Sequence, residues 1–293
     1  MRSDRWHERQ VRVGAYGFLL RSPIASVIAA VDRLYRDYPQ DLADDVPDFA
    51  VAVAPPSRLR GWFRPKLDLH CDVEVPGMAS QPLAHGPLAL EMGMNLQLAA
   101  GMHRHVLLHA GVVEREGGAV LITGDSGAGK STLSATLGWS GWRLFGDEFG
   151  LLDPVSGNLL PHPRPISLKN ESAEILAELA PADRFGPVFS GTIKGSIRHL
   201  LPPVEAIARM DEPAPPRLIL MPEFAAGATP EAHRLGVAET FARLTQASTN
   251  YRALGEAGFE ALVRMANVPA FAIRYGSSAD ALALIDTLWA HRD

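Results

Sequence analysis

The stretch Gly124-Asp125-Ser126-Gly127-Ala128-Gly129-Lys130-Ser131-Thr132 holds the residue types that grip a chain of phosphates. It follows an apolar run at 119–123 and precedes a helical pattern, so it reads as strand, Gly-x-x-x-x-Gly-Lys-Ser loop and helix. Glycines at 124, 127 and 129 let main-chain N–H groups turn inward and approach oxygen atoms with no Cβ in the way. A helix opening near Lys130 adds the positive end of its dipole. In such a loop Lys130 reaches the β and γ phosphates of a nucleotide, and the Ser131 hydroxyl binds Mg²⁺. The competing reading is a glycine turn with a chance Lys-Ser pair, and the strand before and helix after weigh against it.

Chemistry needs more than a cradle for phosphate. Leu144-Phe145-Gly146-Asp147-Glu148 places two adjacent carboxylates just after an apolar run. One carboxylate can hold Mg²⁺ directly or through water, and the other can accept a proton from an attacking hydroxyl. Asp147 is expected as the main catalytic or metal residue with Glu148 as its partner, against the alternative of an exposed turn at a strand end. His109 closes the strand before the loop strand and reads either as a structural histidine or as one that orients Asp147 or touches phosphate. A zinc site from His103, His105 and His109 is disfavoured, because a helix end and a strand divide the three. Downstream, Lys169 at an expected helix start opposes the dipole and points to a nearby anion. Lys194 lies between glycines at 191 and 195 and is followed by Arg198 and His199. These cations either clamp a transferring phosphoryl group or are solvated loop charges.

These groups need elements to position them. Residues 106–109 and 119–123 read as strands flanking a turn at Glu116-Gly117-Gly118. Helix 130–139 ends near Gly141, strand 142–145 leads into the acidic pair, and 150–152 is a further strand before an Asp153-Pro154 turn. Residues 154–216 are rich in proline and read as irregular, apart from a helix at 170–179. Strand 217–221, helix 237–247, strand 270–275 and helix 278–289 complete this half. Ahead of it, 11–20 reads as a strand, and 23–38 as a helix with Ser22 as N-cap and Pro23 at its first position. Residues 48–54 form a short strand stopped by Pro55-Pro56, and 67–75 alternates as a half-buried strand. Residues 88–105 read as a helix with Leu90, Met94, Leu98 and Met102 on one face, the methionines filling core.

The chain has 293 residues, 47% of them hydrophobic and 21% charged, enough for a sizeable core in one large or two modest domains. Net charge is −5 with no long basic run, so no nucleic-acid footprint is expected. The arginines at 2, 5, 9 and 12 alternate with acids and read as a solvated face. Cys71 is the sole cysteine, which is consistent with a reducing compartment and excludes an internal disulfide. No apolar leader or membrane-length stretch is evident, so a cytoplasmic protein with no membrane partner is expected.

Taken together, the loop, the Gly146-Asp147-Glu148 element and His109 resemble the HPr kinase/phosphorylase superfamily, specifically its HPr-kinase-related kinase A branch. The matching stretches include 108–113, 121–132, 141–148, Arg164-Pro165-Ile166-Ser167-Leu168-Lys169-Asn170, 192–195, 199–203 and Asn250-Tyr251. The acidic element is also similar to the metal-binding element of phosphoenolpyruvate carboxykinases. The resemblance implies an α/β fold with a P-loop kinase core of that type at 106–293 and a smaller N-terminal α+β subdomain at 1–105. It implies ATP with Mg²⁺, phosphoryl transfer to a serine hydroxyl, a base role for Asp147, a peptide or small-protein acceptor, and an oligomer. The glycine-rich signature loop tied to dephosphorylation in the bifunctional enzymes has no match here. A small-molecule kinase and a nucleotide-sensing module without turnover are the alternatives. Sensing alone does not need Asp147.

Overall fold

A computed structural model describes residues 6–39, 42, 45–56, 66–73, 79–169, 171–192 and 195–292. The chain begins with β1 (His7–Val13) and β2 (Tyr16–Ser22), then α1 (Ala25–Leu34), β3 (Phe49–Ala54), β4 (Lys66–Cys71), β5 (Gln81–Pro82) and α2 (Gly86–Gly101). These strands form a five-stranded sheet in the order β1-β2-β3-β4-β5. Every second residue of β2 and β3 is buried, the period-2 pattern of a sheet with one covered face. α1 and α2 supply that cover through Val27, Val31, Leu90, Met94 and Leu98.

The expected single strand at 11–20 is a hairpin. Val13 pairs with Tyr16, so Gly14 and Ala15 form a two-residue loop, and Gly14 has φ +54°, the conformation such loops ask of glycine at their first position. A Cβ on Gly14 would also lie 2.1 Å from the Pro161 carbonyl oxygen. Gly14→Ala should therefore lower stability by at least about 1–2 kcal/mol, the left-handed backbone penalty alone. Urea unfolding checks it, and an unchanged midpoint would contradict the packing described.

The second half runs through β6 (Val106–Leu108), β7 (Ala110–Arg115), β8 (Gly118–Thr123), α3 (Lys130–Trp139), β9 (Arg143–Gly146), β10 (Gly150–Leu152) and β11 (Leu159–Leu160). Next come β12 (Ile166–Lys169), α4 (Ser172–Leu176), β13 (Phe185–Thr192), β14 (Gly195–Leu200), α5 (Val204–Ala208) and β15 (Pro216–Phe224). The chain ends with β16 (Glu231–Arg234), α6 (Val237–Ala247), α7 (Gly255–Met265), β17 (Ala270–Tyr275) and α8 (Ser278–Ala290). The result is a mixed α/β fold with several sheets.

Several expectations need correction. The strand expected at 106–109 ends at Leu108 and does not flank the turn at 116–118. The chain changes sheets at His109, β6 pairing with β10 and β7 with β8 and β9, and it is β7 that flanks the Gly117 turn. Residues 154–216 are not irregular either. β12, β14 and β13 form a three-stranded sheet, and the helix expected at 170–179 is only α4, with Asn170 outside the described residues. At the N-terminal end, α1 is shorter than expected and starts after Ile24, while Ser22 Oγ accepts from the Ile24 N–H. The helix expected at 88–105 ends at Gly101.

The order of the six-stranded sheet, β16-β17-β15-β8-β7-β9, positions everything that follows. β17 and β15 run parallel to β8, while β7 is antiparallel to both β8 and β9. β8, β9, β15 and β17 therefore all end at one edge, where β7 begins. The core beneath the N-terminal sheet extends into the second half through Leu107, Phe149, Leu151, Leu201 and Ile207.

Candidate functional site

The glycine loop lies between the end of β8 and the start of α3, whose helix begins at Lys130 as the sequence predicts. Val120, Leu121 and Ile122 are fully buried, which fixes the loop's origin. Gly124, Gly127 and Gly129 have φ of +144°, +88° and +88°, values that side chains with a Cβ rarely adopt. Asp125, Ser126 and Gly127 are exposed, so the loop is open to solvent. Gly129 caps α3 without any side chain, leaving the first-turn N–H groups pointing out of the helix.

Lys130 folds back over this loop. Its Nζ donates to the Gly124 and Asp125 carbonyl oxygens at 2.8 and 2.9 Å, which uses two of its three N–H donors. Burial pulls its pKa below the usual lysine value, opposed by Asp147, Glu148 and Asp125. α3 sits tightly on β7. Ser134 donates to the Lys130 carbonyl at 2.9 Å, and a Cβ on Gly111 would come within 1.9 Å of the Ser134 oxygen. Thr132 donates to Ser172 at 2.9 Å, linking the first turn of α3 to α4.

Asp147 follows β9 at the same sheet edge. The residue is half-buried, but its Oδ1 is closed off from solvent and has no hydrogen-bond partner. Burial, then the neighbouring Glu148 charge, pushes its pKa up to about 7, against the Ser131 hydroxyl and the Lys169 and Lys130 ammonium groups. A carboxylate so placed is only partly ionised at neutral pH and is poised to exchange a proton. Ser131, Asp147 and Glu148 offer oxygen donors only, which suits a hard divalent cation that keeps waters and ligand oxygens in its shell. Among the described residues, no group of three or more His, Cys, Asp or Glu side chains is placed to hold a metal ion.

His109 lies between β6 and β7 with Nδ1 3.7 Å from Glu148 Oε1, so its partner is Glu148 rather than Asp147. Asn250, which the residue chemistry left unassigned, sets the strand before it. Its side chain accepts from the Leu107 N–H at 2.8 Å and donates to the Met102 and His105 carbonyls at 3.1 and 2.9 Å. The His109 N–H donates to the Ala247 carbonyl at 2.8 Å.

Lys169 is the last residue of β12, not the start of a helix, and its charge acts on both Asp147 and Lys130. Arg198 is engaged within its own sheet: Nε donates to the Gly186 carbonyl at 2.9 Å and the guanidinium lies over the Phe185 ring. His199 is buried, with its pKa lowered by that burial, near Ser167 Oγ at 3.4 Å. Lys194 lies outside the described residues. Cys71 is half-buried on β4, and burial followed by Asp72 pushes its thiol up to about 11. Among the described residues, no helix is long and apolar enough to cross a membrane.

A scan against protein-family models finds no match, and no curated protein matches. Among solved structures, the chain is similar to the Hpr(Ser) kinase/phosphatase from Coxiella burnetii at 15% identity and a TM-score of 0.29, over 64% of this chain and 95% of that one.

Proposed function

We propose that the chain is a kinase that uses ATP and Mg²⁺ and transfers the γ-phosphoryl group to a serine hydroxyl of a small protein or peptide. The observation that carries this reading is Asp147: a carboxylate with a shielded, partnerless oxygen lies at the sheet edge that also bears the glycine loop and Lys130. A binding loop alone has no use for such an acid. The serine acceptor rests on the family resemblance.

In this reading the loop amides and Lys130 hold the phosphate tail. Ser131, Asp147 and Glu148 would hold Mg²⁺, which neutralises charge along the tail when bound. Asp147 accepts the proton of the acceptor hydroxyl. The hydroxyl oxygen forms the new bond to the γ phosphorus, the bond from that phosphorus to its bridging oxygen breaks, and ADP leaves with the electron pair. Lys169 draws the transferring group toward the acid, and His109 steadies Glu148.

Incubation with γ-labelled ATP, Mg²⁺ and a library of serine-bearing peptides tests the proposal, with label expected on serine. Label on a metabolite alone would favour a small-molecule kinase, and nucleotide binding with no transfer to any acceptor would favour a sensor. The pH dependence is also set. As a base, Asp147 must be ionised, so kcat/KM should rise with pH through a limb near 7. A profile flat from pH 5.5 to 8.5 would contradict a base with that pKa.

A further inference from the structure

The sheet edge has a second side. From β8, the acid-bearing β9 lies two strands away in one direction, and β15 and β17 lie one and two strands away in the other. Neighbouring strands are about 4.8 Å apart. A nucleotide whose terminal phosphate lies toward Asp147 can run back across the loop strand and place its other end over β15 and β17. Those strands end in Phe224 and Tyr275, paired in register. Both flank the loop, since a Cβ on Gly129 would lie 3.5 Å from Tyr275 Oη and 3.6 Å from Phe224 Cβ.

The two rings differ in what they are free to do. Tyr275 is buried in the core. Phe224 is 51% exposed, although Leu218, Ile219 and Leu220 on the same strand are fully buried. Its ring centroid lies 5.9 Å from that of Tyr275 at a 57° tilt, so Tyr275 props one side. The chain beyond Phe224 is Ala225-Ala226-Gly227-Ala228, small residues that cannot cover the ring. That turn is pinned to the end of β17: Ala225 donates to the Tyr275 carbonyl at 3.0 Å, and a Cβ on Gly276 would strike Ala228 at 2.7 Å. An exposed aromatic ring that is buttressed behind, bordered by small residues and carried on a Cβ that lies beside the glycine loop is a stacking platform for a planar ring.

We infer that Phe224 stacks against the base of the bound nucleoside triphosphate. The inference rests on the nucleotide reading of the loop, and it adds a base subsite across the loop strand from the acid. Stacking tolerates any base, so Phe224 should support ATP and GTP alike.

Calorimetric titration of the whole chain with ATP, GTP and inorganic tripolyphosphate, each with Mg²⁺, provides the test. Phe224→Ala should weaken ATP and GTP by about 5- to 140-fold, the range for losing one base–aromatic stack. Tripolyphosphate affinity should not change, and Phe224→Tyr should restore nucleotide affinity. Unchanged ATP affinity in Phe224→Ala, with Lys130→Met still abolishing binding, would overturn the base subsite and leave the loop reading intact. Equal losses for ATP and tripolyphosphate would also overturn it, because the damage would lie in the loop. If the unaltered protein binds neither probe, the nucleotide reading itself fails and the base subsite with it.

Discussion

Asp147→Asn should lower the rate of phosphoryl transfer by about 10²–10⁴-fold, the usual contribution of a positioned general base. Affinity for the nucleotide without Mg²⁺ should persist, because the loop amides and Lys130 are untouched. The substitution keeps the shape of the side chain and removes its ability to take a proton. It should also change stability in a pH-dependent way. The acid titrates near 7 in the folded protein, above the ordinary aspartate value of 3.8. The folded chain therefore binds more protons than the unfolded chain between those values, and stability falls as pH rises through that window. Asn stays neutral throughout. The variant should match the unaltered protein below about pH 4 and be more stable than it at pH 8. Lost transfer with unchanged stability at pH 8 would mean that Asp147 is solvated rather than shielded.

The second large effect is structural. Arg164 and Glu91 form an ion pair of 2.6 Å with both residues buried, joining the start of the β12 segment to α2. Burial works against the Arg164 charge, but Glu91 and Tyr35 outweigh it and raise its pKa. The guanidinium also donates to the Glu91 carbonyl at 3.0 Å and to Asn95. Removing one member strands the other charge in the core. Arg164→Met or Glu91→Leu alone should cost about 3–5 kcal/mol, whereas the double replacement should recover most of that loss. Urea unfolding of the three variants measures the coupling. Additive losses would show that the two side chains are not a closed pair. Because β12 ends in Lys169, the single variants should also disturb the cation that acts on Asp147.

The sequence made the site more legible than the fold around it. Helix 130–139, strand 150–152, helix 237–247 and strand 270–275 match the structure residue for residue, because each has clear ends and apolar residues at its own period. The edge of the six-stranded sheet carries the loop, Asp147, Glu148 and His109. What was missed has physical causes. Residues 106–113 are apolar almost throughout, so periodicity cannot show the chain leaving one sheet for another at His109. β13 carries Pro187, has two register irregularities and is half exposed, the features of an edge strand that read as loop. The hairpin at Gly14 depends on one residue's φ. Phe224 carried no motif. Its place follows only once β15 is known to run parallel beside β8. Asn250 works through side-chain bonds to main chain distant in sequence, which local pattern cannot reveal.

A structure of the chain with Mg²⁺ and a non-hydrolysable ATP analogue tests the central claim most directly. The expected result is a phosphate tail lying across residues 124–132, with its terminal phosphate at Lys130 and facing Asp147. A nucleotide bound away from that loop, or bound there with its terminal phosphate turned toward β15, would contradict it.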